Sequence, residues 1–515
     1  MTRKSLIPLL IGTTLILGYY VGVYTSSAPT SGNERLQKIE YLLRLIEENH
    51  LSQASIDSIL ESSIDEMLHE LDPHSTYLNP DEVKRAQENM SGRFVGIGIE
   101  FNNLKDSVRV LSVIPNGPSA TAGLRGGDII LHADTTMLSG ANLPNQEVIG
   151  HLKGKNRSKV ALTVLRNSDT LNINVRRGNV NIPSVDLAYS PQDSIGFIRI
   201  TRFNEQTTAE FDRALKSLRG NMDNGLIIDV RDNPGGLLNQ AVQVASRFLE
   251  PGDTIVFLEN NKGTRDYYIN KQSKKRIHVP LVILINEGSA SAAEILAGAL
   301  QDNDRALIIG RRSFGKGLVQ EEVGLPDGSK IRLTTSRYFT PSGRIIQKSY
   351  ANGYNDYQQE IMQRFHGTTS KNDTAGMPIY KTRSGRIIYG GGGVRPDIDL
   401  ALDSSSAFNS SAFQLLGDAG RMLQLYKYTS VHYDSLQVVN PETIWDTPTP
   451  KLIKRVFGDD FPETENEDVS RFIKQQMILM VFDRPTMSQF SMKNDQAVEK
   501  GLRTIESGVI DTMLQ

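Results

Sequence analysis

Two serines and one lysine carry the first chemical question. "GSASAAEI", residues 288–295, follows the apolar run "PLVILIN" (280–286) and holds Ser289 and Ser291. A loop after a buried parallel strand delivers its residues to the carboxyl end of the sheet, where α/β sites lie. A serine at the start of the next helix sits beside unpaired backbone N–H groups and the positive end of the helix dipole. Such groups can stabilise an oxyanion. Gly288, Ala290, Ala292 and Ala293 leave room for a substrate backbone. Ser291-Ala292-Ala293-Glu294 also matches S-x-x-E, a capping box, and taken alone the stretch favours a helix cap over a nucleophile.

A nucleophilic serine needs a base. None of the eight histidines is close in sequence to this stretch, so a lysine is the alternative. A lysine accepts a proton only if burial lowers its pKa towards neutrality. "RRSFGKGLVQ" (311–320) offers Lys316 between two glycines, at the mouth of a strand. On a strand Lys316, Leu318 and Gln320 point to one face, so Gln320 is placed to hold Lys316 without adding a charge. "FGKG" lacks the spacing and the Ser/Thr of a Walker A loop. A third piece is "IIDVRDNPGG" (227–236): a strand ends, a proline fixes a turn, and Gly235 and Gly236 open a helix with exposed N–H groups. One of these could be a second oxyanion donor, or the segment is simply a tight βα turn.

The elements around these residues fit an α/β layer. "GLIIDV" (225–230), "PLVILIN" and "RALIIG" (305–310) are nearly all apolar, and the first two are followed by the helix-period stretches "LLNQAVQVASRFL" and "AAEILAGAL". That pattern predicts a sheet buried on both faces across 179–400. Residues 318–346 read as antiparallel strands. Residues 92–178 read as a small β-rich unit, with "FVGIGIEF", "SVRVLSVI", "DIILHA" and "KVALTVLR" as strands and "PNGPSA", "LRGGD" and "LKGKN" as turns. Residues 33–91 are a helical region, with Leu36, Ile39, Leu43 and Ile46 on one face of its first helix. Two prolines break it at "LDPHSTYLNPDE" (71–82), where His74 reads as a loop histidine. Residues 401–515 are polar, helical by pattern and without evident chemistry; they hold the single tryptophan, Trp445.

The 515-residue length implies several domains. A net charge of −2 argues against a general nucleic-acid binder. Cysteine is absent, which excludes disulfides, thiolate catalysis and Cys-based zinc sites. Arg3 and Lys4 precede "SLIPLLIGTTLILGYYVGVY" (5–24), and no charge follows until Glu34. Residues 1–27 therefore read as an uncleaved signal anchor rather than a cleaved signal peptide, with the positive flank cytoplasmic and the rest on the other side.

"GSASAAEILAGALQD", "SFGKGLVQ", "DVRDNPGG", "TPSGRIIQ" (340–347) and "GGGVRPD" (391–397) together resemble, in order, the signatures of the carboxyl-terminal processing proteases, the S41-type serine peptidases with a PDZ domain. The resemblance spans roughly residues 36–400. It implies a ClpP/crotonase-like α/β core over 179–400, a PDZ-like domain over 92–178 and helical ends. It implies a Ser/Lys dyad on Ser291 and Lys316, 25 residues apart, with Gln320 as orienter. The oxyanion donors would be the N–H groups of Ala292 and Gly235. Ala293 stands where many members have serine, a small-for-small change. "GLRGGDIIL" (123–131) is similar to the family's PDZ signature, and the PDZ carboxylate loop would be Gly96, Ile97, Gly98 and Ile99, where an extended substrate tail adds a strand. The implied protein is a serine endopeptidase without cofactor or metal. It acts on proteins with exposed C-terminal tails, on the periplasmic side of a bacterial inner membrane. A homo-oligomer stays open. The rivals are a non-enzymatic PDZ scaffold and an acyl-CoA-handling enzyme of the crotonase type; both dyad residues weigh against the first, the PDZ-like unit and the Ser/Lys set against the second.

Overall fold

The computed structural model describes residues 33–51, 55–272, 276–365, 374, 376–401, 419–458 and 467–514. The expected anchor at 1–27 lies outside them. Among the described residues no helix is long and apolar enough to cross a membrane. The chain divides into two compact units at Leu71. In the first, helices Asn33–Asn49 and Ile56–His69 are both amphipathic, and the Ser55 hydroxyl caps the second by accepting from Ser58 N–H. The expected helical region 33–91 is thus split: Thr76–Leu78 is a strand and Pro80–Ser91 a helix of the second unit.

The second unit is built around a six-stranded sheet in the order Val185–Gln192, Ile195–Ile200, Gly225–Asp229, Leu281–Ile285, Leu307–Gly310, Ile398–Asp399. The first pair is antiparallel and the others are parallel. Every residue of the strands Gly225–Asp229, Leu281–Ile285 and Leu307–Gly310, nearly all apolar, is buried, as a sheet covered on both faces requires. Helices Thr207–Ser217, Leu238–Ala245 and Ala292–Asp302 cover one face through Phe211, Val244 and Leu296. The other face is covered by helices Gln496–Glu506 and Val509–Leu514, whose Ala497, Val498, Ile505 and Ile510 pack on Phe197, Ile227, Val282 and Leu284. Gly225 permits this contact: a Cβ there would lie 2.7 Å from Ile505.

A second sheet centres on the long strand Lys330–Phe339, which pairs with Thr76–Leu78, Leu318–Gly324 and Thr254–Asn260. Residues 99–176 form a separate antiparallel sheet, in the order Ile99–Asn103, Val108–Val113, Ile129–Ala133, Lys159–Arg166, Asp169–Arg176, with helix Asn145–Leu152 packed on it. A two-stranded ribbon, Arg93–Gly96 with Gly178–Asn181, carries the chain in and out of this domain.

Helices within 419–458 and 467–491 form a cluster around Trp445, Ile473 and Phe490 that braces this small domain. The Met480 carbonyl sits where a Cβ of Gly126 would be, at 1.9 Å, and Ser430 Oγ would be 2.2 Å from a Cβ of Gly127. The two glycines of "LRGGD" therefore let the helices approach as well as turning the chain. Arg484 forms an ion pair with Glu100, and Asn102 Nδ2 donates to Tyr426 at 3.4 Å.

Candidate active site

Ser291 stands between the strand Leu281–Ile285 and the helix Ala292–Asp302, with φ 54° and ψ −113°. A non-glycine residue in that region stores about 1–3 kcal/mol of strain and persists only where its surroundings hold it. Those surroundings are explicit. Ser291 and Glu294 form the expected capping box, and the half with full hydrogen-bond geometry is Ser291 N–H to Glu294 Oε2 at 2.9 Å. Ala290 N–H donates to the Asn233 carbonyl at 2.9 Å. Asn286 Oδ1 accepts from Asp232 N–H at 2.8 Å and from Gly288 N–H at 3.1 Å, locking the two loops together. Ser289 is fully buried and its hydroxyl donates to the Val230 carbonyl at 2.8 Å, which leaves it a packing role. Among the described residues the Ser291 side chain makes no hydrogen bond of full geometry.

Lys316 enters from the loop before the strand Leu318–Gly324, so it precedes the strand instead of belonging to it. Its Nζ donates to Gln320 Oε1 at 3.0 Å, and among the described residues it makes no ion pair. Burial pushes its pKa down to about 8, helped by Arg332 and opposed by Glu294 and Asp72. Gln320 is itself held from far away: its Nε2 donates to the His74 carbonyl. His74 belongs to a turn fixed by Asp72, whose Oδ1 accepts from His74 N–H at 2.8 Å, Ser75 N–H at 2.9 Å and the Thr334 hydroxyl at 3.0 Å. The His74 ring meets the Tyr357 hydroxyl at 2.8 Å, and burial, with Lys316 adding to it, pushes its pKa down to about 3. It stays neutral across the working pH range. His74 is a loop histidine, as expected, but one that braces the lysine's partner.

Two residues tie Ser291 to Lys316. Glu294, fully buried, accepts on one oxygen, Oε2, from both Ser291 N–H and Lys316 N–H, each at 2.9 Å. Its Oε1 accepts from Gly315 N–H at 2.8 Å and from the Ser313 hydroxyl. Burial pushes the Glu294 pKa up to about 7, and these four donors limit the rise. On the opposite side the Tyr338 hydroxyl meets the carbonyls of the same two residues, Ser291 at 3.2 Å and Lys316 more closely. Sequence reasoning found Glu294 only as half of a cap. It had no signal for Tyr338, whose partners are set by the pairing of distant strands.

The glycine turn lies against the serine. A Cβ at Gly235 would fall 2.7 Å from Ser291 Cβ and 2.9 Å from Ala292 N, so only glycine fits, and its φ of 97° agrees. Among the described residues the Ala292 N–H has no partner. The Gly235 N–H does: it donates to Asn233 Oδ1 at 2.8 Å. Arg231, just before the turn, is clamped by Asp229 at 2.7 Å and by Asp495 of the C-terminal helices at 3.0 Å. Among the described residues no group of His, Asp or Glu is arranged to hold a metal ion.

The model of peptidase family S41 matches residues 194–353, which include Gly235, Ser291, Lys316 and Gln320, and a PDZ domain model matches residues 95–176. A probable CtpA-like serine protease of Staphylococcus aureus is 34% identical over 354 residues, which cover 67% of this chain and 70% of the relative. The chain belongs to peptidase family S41. A probable CtpA-like serine protease of Staphylococcus epidermidis is 34% identical over 313 residues, 60% of this chain and 63% of its own. Among solved structures, a photosystem II D1 C-terminal processing protease is 28% identical over 72% of this chain and 94% of its own, with a TM-score of 0.37. The S41 protein is accordingly a serine hydrolase of peptide bonds, of the C-terminal processing type, with a PDZ domain at residues 95–176.

Proposed function

We propose that this protein is a membrane-tethered endopeptidase in which Ser291 is the nucleophile and Lys316 the general base. The observation that carries the reading is the lysine's partner: Nζ rests on a neutral amide oxygen, Gln320 Oε1, with no ion pair among the described residues to hold it protonated. A base must lose its proton near the working pH, and a pKa of about 8 supports that use. Ser291 Oγ attacks the scissile carbonyl while Lys316 Nζ takes its proton. The oxyanion receives the Ala292 N–H and, once it leaves Asn233, the Gly235 N–H. The resulting ammonium returns the proton to the leaving amine. Water, deprotonated by Lys316, then hydrolyses the acyl-enzyme and frees Ser291.

The PDZ domain supports capture of substrate C-terminal tails at Gly96, Ile97, Gly98 and Ile99. The apolar run 5–24 behind Arg3 and Lys4 supports anchoring in a bacterial inner membrane with the protease facing the periplasm, and hence substrates among envelope proteins. Ser291→Ala and Lys316→Ala are each expected to abolish cleavage of an unfolded test protein that the parent cleaves. A serine-directed covalent probe should label Ser291 in the parent. Cleavage surviving in Ser291→Ala would refute the assignment.

A further inference from the structure

We propose that Lys153 receives the terminal carboxylate of a captured tail, and that Glu88 holds this cation until a tail arrives. The inference rests on the tail-capture reading of the PDZ domain. Gly96, Ile97 and Gly98 are buried, and the carbonyls of Ile97 and Gly98 are used: they accept from Ser119 N–H at 2.9 Å and from Ile114 N–H at 3.1 Å. The N–H groups of Ile97 and Gly98 donate to nothing among the described residues. Adjacent buried N–H groups without partners are rare, and together they make a cradle for an anion. A carboxylate lying there is partly desolvated, and a desolvated charge requires a counter-charge.

Lys153 is a cation whose stem lies beside Gly96, at the start of that cradle. It ends the helix Asn145–Leu152, and its stem runs past the loop: a Cβ at Gly96 would lie 3.6 Å from Lys153 Cγ and 2.8 Å from the Phe94 ring. Its Nζ sits 4.8 Å from the centre of the Phe94 ring and pairs with Glu88 on the helix Pro80–Ser91. All three side chains line one cavity of about 660 Å³ that opens to solvent. Lys153 and Glu88 keep 26% and 19% of their side-chain surface exposed, so solvent and an incoming anion can reach the pair from the open cavity. The lysine's flexible four-carbon stem lets the ammonium swing from Glu88 to a carboxylate on the Ile97 and Gly98 amides. Glu88 and a tail then compete for one cation, so the two side chains should have opposite effects on binding.

The test uses the full chain carrying Ser291→Ala, which prevents turnover. The probes are a fluorescein-labelled decapeptide ending in an apolar residue with a free carboxylate, and the same peptide as its C-terminal amide. Fluorescence anisotropy at fixed ionic strength gives both affinities. Lys153→Met should weaken the free acid about tenfold and the amide less than about twofold. Glu88→Gln should tighten the free acid about threefold by removing the competitor. An unchanged acid-to-amide ratio in Lys153→Met, or weaker acid binding in Glu88→Gln, overturns the proposal. Equal affinity of the Ser291→Ala parent for acid and amide removes tail capture itself, and Lys153's role with it.

Discussion

Gln320→Glu isolates the property on which a lysine base depends. The substitution keeps the side chain's shape and sets a carboxylate oxygen where Oε1 now lies, 3.0 Å from Lys316 Nζ. An opposite charge at that range favours the ammonium and raises a lysine pKa by about 1–3. Taking the middle of that range, Lys316 moves from about 8 to about 10. At pH 7.5 roughly a quarter of a base titrating at about 8 is neutral, against about 0.3% of one titrating at about 10, so kcat/KM falls roughly 80-fold. The sign follows from the charge: the active form is deprotonated, so parent activity rises with pH through about 8, and the variant's rise comes later. The assay is kcat/KM on a fluorogenic unfolded substrate, from about pH 6 to about pH 10.5. Gln320→Leu is the control. It adds no charge, so it should keep the parent's midpoint and lose kcat because Nζ loses its orienting acceptor. A Gln320→Glu profile with its midpoint still near the parent's would refute the idea that amide neutrality keeps the lysine basic.

Other perturbations follow from the same geometry. Glu294→Gln turns an NH₂ towards N–H donors in a fully buried site; it should cost about 2–3 kcal/mol in chemical denaturation and most of the activity. Tyr338→Phe removes only the hydroxyl between the Ser291 and Lys316 carbonyls, and should lower kcat about tenfold with KM unchanged in steady-state kinetics. Gly235→Ala sets a methyl 2.7 Å from Ser291 Cβ at a φ of 97°, and should leave no measurable cleavage and slow labelling of Ser291 by a covalent serine probe. Gly126→Ala pushes into the Met480 carbonyl and should cost about 1–3 kcal/mol by thermal denaturation.

Much of the candidate site was legible because its parts are local. A strand, a sharp turn and a capped helix define Ser291 within a dozen residues, and Lys316 and Gln320 lie four apart. The continuous apolar strands announced the buried sheet. What the sequence could not convey is long-range. His74 reaches Gln320 across 246 residues, and Tyr338 meets Ser291 across 47, through contacts that only strand pairing and folding create. The strand Thr76–Leu78 was hidden in a Pro-rich stretch whose local preference is a loop; pairing with Lys330, Ile331 and Arg332 overrides it. The C-terminal region carried helical periodicity, yet nothing in that pattern says which surface its apolar stripe will cover.

That surface is the inner sheet of the protease, and its position sets how the molecule fails on heating. The helix Gln496–Glu506 covers Ile227 and Val282, and Asp495 at its cap grips Arg231 beside the glycine turn. Fraying of this helix together with Val509–Leu514 strips the sheet of its cover and frees the turn in a single event. Thermal inactivation and exposure of a sticky β surface are therefore one step, and an overheated sample loses its solubility together with its activity.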